Sequence, residues 1–120
     1  MREDLLAWQW QNYATVHVDR KNLAIHIATA PLFIAGTVIA VVDLFLSPWL
    51  VLAGLGAMLL AVVLQGRGHK LERVPPIPFT GPLDVVTRIF AEQWMTFPRY
   101  VISGRFAQAW RSGGAARRPA

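Results

Sequence analysis

Two stretches leave a chain of this length few ways to fold. Residues 23–42 read LAIHIATAPLFIAGTVIAVV, and residues 48–65 read PWLVLAGLGAMLLAVVLQ. Neither contains Lys, Arg, Asp or Glu. Between positions 22 and 66 the only charged residue is Asp43. At 1.5 Å of rise per residue the first run spans roughly 30 Å as a helix, the thickness of a bilayer's hydrocarbon core. Asp19 is placed to cap its start, and Ser47 followed by Pro48 to start the second. Pro31 lies inside the first run and predicts a kink, which membrane helices tolerate. The link DLFLS, residues 43–47, is too short for anything but an antiparallel hairpin. Ala53, Ala57 and Ala61 form one row of small residues, and Gly36 with Ala40 another, so the helices can approach closely.

The surroundings set the orientation. All twelve Lys and Arg lie at positions 2–21 or 67–118, outside the hairpin. The positive-inside rule places both termini in the cytoplasm. The opening MREDLLAWQW starts with acids and is broken by polar residues, unlike a secretory signal. The net charge of +5 could suggest a nucleic-acid partner, but so long an uncharged run argues for none. There are no cysteines, so any metal must use nitrogen or oxygen ligands.

The flanks read as amphipathic. Over residues 4–18, Leu6, Trp10, Tyr13 and His17 share one helical face. Trp8, Trp10 and Tyr13 suit a membrane interface. Residues 73–82, RVPPIPFTGP, form a loop. Beyond it, Asp84, Arg88, Glu92 and Arg99 make a third full span costly, so residues 83–104 are expected to be interfacial or re-entrant helix. The fold class is therefore an all-α integral membrane protein: a transmembrane helical hairpin with amphipathic interfacial helices before and after it. Residues 1–111 form one membrane-embedded domain, and residues 112–120 a disordered basic tail able to touch anionic lipid.

The three histidines give the chain its chemistry. His26 lies one turn into the first span, His69 just past the end of the second, and His17 at the end of the first amphipathic helix. In a hairpin all three fall at one depth on the cytoplasmic side. Asn22 and His26 share a face, as do Gln65, His69 and Glu72. Three imidazoles, neighbouring amides and a carboxylate suit a divalent first-row metal such as iron, zinc, copper or nickel. His17, His26 and His69 are the candidate ligands, with Glu72 as a further one. Tyr13, Asn22 and Gln65 are placed to orient them. Arg20, Lys21, Arg67 and Arg73 are candidates to attract a substrate carboxylate, although topology alone also explains four cations there.

The elements HVDRKNLAIH, then QGRGHKLE, then PPIPFTGPLDVVTRIFAEQWMTFPRYVISGRF resemble the Mpo1-like family of membrane proteins, also called the DUF962 family. The likeness runs from about Tyr13 to Arg105. Ala30 stands where the family's pattern has Gly, and the chain has no fourth histidine. The resemblance implies an iron(II)-dependent dioxygenase that shortens long-chain 2-hydroxy fatty acids by one carbon, using O2, with His17, His26 and His69 as iron ligands. Characterised members of that family work in the endoplasmic reticulum; the compactness of this chain points instead to a multi-pass protein of a bacterial inner membrane, with the cytoplasmic side set by the basic residues. An acyl chain would run beside Leu23, Ile27 and Leu64. Two spans are too few to enclose such a chain, so a homo-oligomer is expected. Two other readings remain open: a non-catalytic lipid-binding or scaffold protein with structural histidines, and a zinc-dependent lipid hydrolase.

Overall fold

The computed structural model describes residues 3–113. Among them every regular element is a helix: α1 (Leu5–Tyr13), a 3₁₀ turn (Ala14–Val16), α2 (Arg20–Val42), α3 (Pro48–His69), α4 (Pro82–Ala91), a π-helical turn (Glu92–Thr96), α5 (Phe97–Ile102) and α6 (Arg105–Ser112). Most of the expected basic tail, from position 114 on, lies outside the described residues. α2 and α3 are long and apolar enough to cross a membrane. They form the expected antiparallel hairpin.

Asp19 caps α2, its carboxylate accepting from the backbone N–H groups of Lys21 (2.7 Å) and Asn22 (3.2 Å). Ser47 precedes Pro48 at the start of α3, but its side chain makes no capping hydrogen bond. α2 continues through Pro31 as a single helix. The two helices meet through small residues. A Cβ on Gly36 would stand 2.6 Å from the Gly54 carbonyl oxygen, and one on Gly54 2.5 Å from the Gly36 carbonyl oxygen. Ala40, Ala57 and the buried Ala61 complete the seam. Ala53, expected in that row, is exposed instead; the contact runs through Gly54, one position on.

The turn end of the hairpin is bare. Phe45 is 93% and Trp49 79% exposed. The open end is covered by α1, the π turn, α5 and α6. Tyr13, Leu23, Phe97 and Tyr100 form its apolar core, each burial contributing about 1.5–3 kcal/mol. On α1 the buried residues are Gln9 and Tyr13, with Trp10 half-buried, whereas Leu6 is exposed. Residues 83–104 do not run as one helix. They break at the π turn, where the Phe97 N–H bonds back five residues to the Glu92 carbonyl. Pro98 explains the widening: it has no N–H and its ring crowds the carbonyl of Trp94, four residues back. The wider turn brings the consecutive residues Glu92 and Gln93 toward the hairpin and Thr96 toward Gln9 of α1.

Candidate metal centre

The three histidines come from three different elements, and each is held by its local geometry. His17 leaves the 3₁₀ turn and His26 sits on α2's second turn. In both, Nδ1 contacts the backbone carbonyl four residues earlier: Tyr13 O at 2.8 Å for His17, Asn22 O at 3.0 Å for His26. A carbonyl only accepts, so Nδ1 carries the hydrogen and Nε2 keeps its lone pair. His69 occupies the last turn of α3. The ring centroids lie 4.7, 4.7 and 5.0 Å apart, nearly an equilateral triangle, with the planes at 82–89° to one another.

His17 Nε2, His26 Nε2 and His69 Nδ1 are buried without a hydrogen-bond partner. Buried polar atoms are rarely left so. Glu92 faces them from the π turn, its Oε2 3.3 Å from His17 Nε2 and 3.4 Å from His26 Nε2. Donor atoms of these four residues all lie within 4.8 Å of one another. Two ligands on a metal at about 2.1 Å lie about 3.0–4.2 Å apart depending on the angle between them, so the four donors must draw in by at least about 0.6 Å to close on an ion. The group could hold a metal ion. A ligating histidine typically donates its other ring N–H to a carbonyl or carboxylate, as His17 and His26 do here.

The electrostatics agree. Burial pushes the His17 imidazole below its ordinary pKa, which favours the neutral form that ligates. Burial would raise the Glu92 carboxyl, but hydrogen bonds from the His17 and His26 rings outweigh it and hold the group well below its ordinary value; that takes a proton on Nε2, a place a bound cation would fill instead. Tyr13 donates to Glu92 Oε2 at 2.8 Å and stacks on His17 at 3.7 Å. Burial, with Glu92 beside it, pushes the Tyr13 phenol well up, so it stays protonated and keeps donating.

The other expected site residues fall into three groups. Gln65 pairs with Gln93, amide to amide, at 2.6 and 3.0 Å, and also donates to Thr29 at 2.9 Å. Asn22 donates to Glu72 at 2.7 Å; its Oδ1 lies over Gly68, where any Cβ would collide with it. Glu72 does not join the four donors. Its oxygens accept from Val18 N at 3.1 Å, Asp19 N at 3.0 Å and Asn22 Nδ2. It works as a clasp, tying the end of α3 to the start of α2 and so setting the spacing of the histidines.

The cations stand apart from the site. Arg20 donates to the Trp110 carbonyl at 2.7 Å, at the C-terminal end of α6. Lys21, Arg67 and Arg73 are exposed. None of the four lines the cavity that opens beside His17, His69 and Glu92; Arg88 does. Nor does the cavity follow the track beside Leu23, Ile27 and Leu64. Leu23 is fully buried in the core, and Ile27 faces Phe106 and Trp110 in a separate groove.

Glu92 is the candidate ligand that the sequence reading overlooked. There it counted only as a cost against a third span. It sits four residues after Arg88 and so reads as half of a surface ion pair. In the fold Arg88 pairs with Asp84 instead, at 3.2 Å, which leaves Glu92 for the histidines. No protein-family model, curated protein or solved structure matches this chain.

Proposed function

We propose that this chain is a membrane-embedded, iron(II)-dependent dioxygenase acting on 2-hydroxy fatty acids, with both termini and the histidine site at the cytoplasmic interface. The observation that carries the metal is the convergence of three unpartnered, buried imidazole nitrogens on one ionised carboxylate. The resemblance of the HVDRKNLAIH and QGRGHKLE elements to the Mpo1-like family supports iron and the substrate class. The bare apolar faces of α2 and α3 support insertion in lipid, either as one chain or as a homo-oligomer.

Iron(II) at this site would supply redox chemistry toward dioxygen and a Lewis-acidic centre for the carboxylate and hydroxyl oxygens of the substrate. The protein supplies position and charge. The Tyr13 and Asn22 carbonyls fix the tautomers of His17 and His26. Glu92 offsets the positive charge of the ion. Tyr13 holds the Glu92 carboxylate with its phenol and covers one face of His17 with its ring. Phe97, with its centroid 5.7 Å from His26, shields the set from water on the core side.

The test is elemental analysis of purified protein after anaerobic loading with iron(II), wild type beside His26→Ala. About one iron per chain is expected in the wild type and none in the variant, because the remaining donors no longer surround an ion. Oxygen uptake with 2-hydroxy fatty acids should then follow iron content. Zinc retained in preference to iron, with lipid cleavage independent of oxygen, would replace this reading by the hydrolase. Absence of bound metal in the wild type would leave a lipid-binding hairpin with structural histidines.

A further inference from the structure

The histidine and carboxylate donors account for one end of a cavity whose other end has no role in holding a metal. The space is about 230 Å³. At the polar end stand His17, His69 and Glu92. The far walls are mostly carbon, from Trp8, Val62, Ile77, Phe79 and Ile89, with the Arg88 guanidinium lying over the Trp8 and Phe79 rings. Apolar cavities of this kind favour apolar guests over water.

One residue in the wall is unusual. Val62, Gly66 and His69 are spaced i, i+4, i+7, so they share the face of α3 that borders the cavity. A glycine inside a helix costs about 1 kcal/mol relative to alanine. Close packing explains the cost at Gly36, Gly54 and Gly68, where a Cβ would collide with a neighbour. It does not explain Gly66, where a Cβ would meet nothing within 4 Å. Gly66 is exposed, as Gly56 is, but it borders the cavity, one turn from a candidate ligand.

We infer that this cavity receives the first carbons of the substrate's apolar tail, and that Gly66 determines how much of the tail fits. The inference rests on the metal reading for the position of the head group. The volume sets the length. Small-molecule sites commonly run from about 300 to 1,000 Å³, so this one is short. It has room for about eight groups of roughly 30 Å³, the share of one water in the liquid. A carboxylate with its hydroxyl-bearing carbon fills about half of that. Roughly four more carbons fit, and a longer tail leaves the cavity for the bilayer. Recognition of the chain then ends near six carbons, and further length adds only partition into lipid.

The experiment is calorimetric titration of 2-hydroxyalkanoates, from 2-hydroxybutanoate to 2-hydroxydecanoate, into iron-loaded protein in nanodiscs. Oxygen is excluded so that nothing turns over, and empty nanodiscs are subtracted. Three proteins are compared: wild type, Gly66→Leu, and Gly56→Leu. Gly56 is an exposed helical glycine of the same kind, with nothing within 4 Å of its Cβ position, and it is not part of the cavity wall. In the wild type, affinity should rise about threefold to fourfold per added methylene and then level off near six carbons. Gly66→Leu should bind 2-hydroxybutanoate like the wild type but lose at least tenfold in affinity for 2-hydroxyoctanoate. Gly56→Leu should match the wild type throughout. Metal content is measured in each sample. A Gly66→Leu protein that holds its iron and still binds the whole series like the wild type would overturn the inference. So would an affinity that keeps climbing to ten carbons. If none of the three holds iron, the metal reading has failed separately. The same proteins are then titrated with n-alkanols from butanol to decanol. A chain-length plateau in the wild type that is missing in Gly66→Leu would still support the cavity, and equal binding by both would overturn it.

Discussion

Near the turn, α2 and α3 touch through glycine and alanine, and everything around the seam is exposed hydrocarbon. Near their open end the same two helices meet through amides, imidazoles and carboxylates, and the polar groups between them are buried while Arg20, Lys21, Arg67 and Arg73 stay exposed. Among the described residues, all twelve buried polar or charged side chains lie at positions 9–29 or 65–96; the hairpin between has none. The difference follows from what covers each end. Two helices alone cannot take a polar side chain out of solvent, so the turn half is limited to backbone contact. Adding α1, the π turn and α5 encloses a space in which polar groups must find partners. The turn half therefore brings the helices together, and the open half uses their fixed separation to build a site.

The largest test of this division is Glu72→Ala. Losing the carboxylate strands two backbone N–H groups and the Asn22 amide, each at a cost of about 1–3 kcal/mol. Stability should fall by about 3 kcal/mol or more, read as thermal loss of helicity, and bound metal should fall with it. Metal content unchanged in that variant would show that the clasp does not set the histidine spacing.

Gly54→Leu attacks the other half. The new side chain meets the Gly36 carbonyl and Ala40, backbone that cannot swing aside. Overpacking of this kind costs about 2 kcal/mol. The folded fraction should nevertheless hold its metal in full. Loss of metal from correctly folded chains would mean that the two halves are one unit.

The amide pair offers a finer probe. Gln65→Leu leaves Gln93 buried and unpaired, which should cost about 1.5 kcal/mol. Adding Gln93→Leu removes both partners and should restore most of the loss, because two apolar side chains need no hydrogen bond. Failure of the double variant to recover would give Gln65 a role beyond the pair, through its hydrogen bond to Thr29.

How legible each half was follows from the same division. The hairpin, its turn, the Asp19 cap and the meeting of the histidines could all be read from composition and spacing, because hydropathy and helical period act locally. The seam was read one position off, since Ala53 and Gly54 differ little in pattern and only packing chooses between them. Glu72 and Glu92 were the harder pair. One lies three residues after His69, within helical reach, and turns away to cap α2. The other lies sixty-six residues after His26 and arrives only because Pro98 forces a π turn and Arg88 takes Asp84. Long-range contacts of that kind have no periodic signature, so the acid nearest in sequence was named and the acid nearest in space was not.

Two tyrosines give the smallest effect and the sharpest contrast. Each donates a single hydrogen bond at the open end: Tyr13 to Glu92 at 2.8 Å, Tyr100 to the His17 carbonyl at 3.0 Å. Burial pushes both phenols up, so both stay protonated at neutral pH. Removing either hydroxyl as Phe keeps the ring and its stacking, and should cost about 1 kcal/mol of stability. Only Tyr13→Phe touches the side chain of a candidate ligand; Tyr100 reaches His17 through its backbone carbonyl. Partners that orient ligands typically contribute tenfold or more to metal affinity, so Tyr13→Phe should weaken metal binding about tenfold while Tyr100→Phe leaves it nearly unchanged. Competition with a chelator of known affinity reads both. Equal affinities in the two variants would remove Glu92 from the ligand set and leave the three histidines to hold the ion alone.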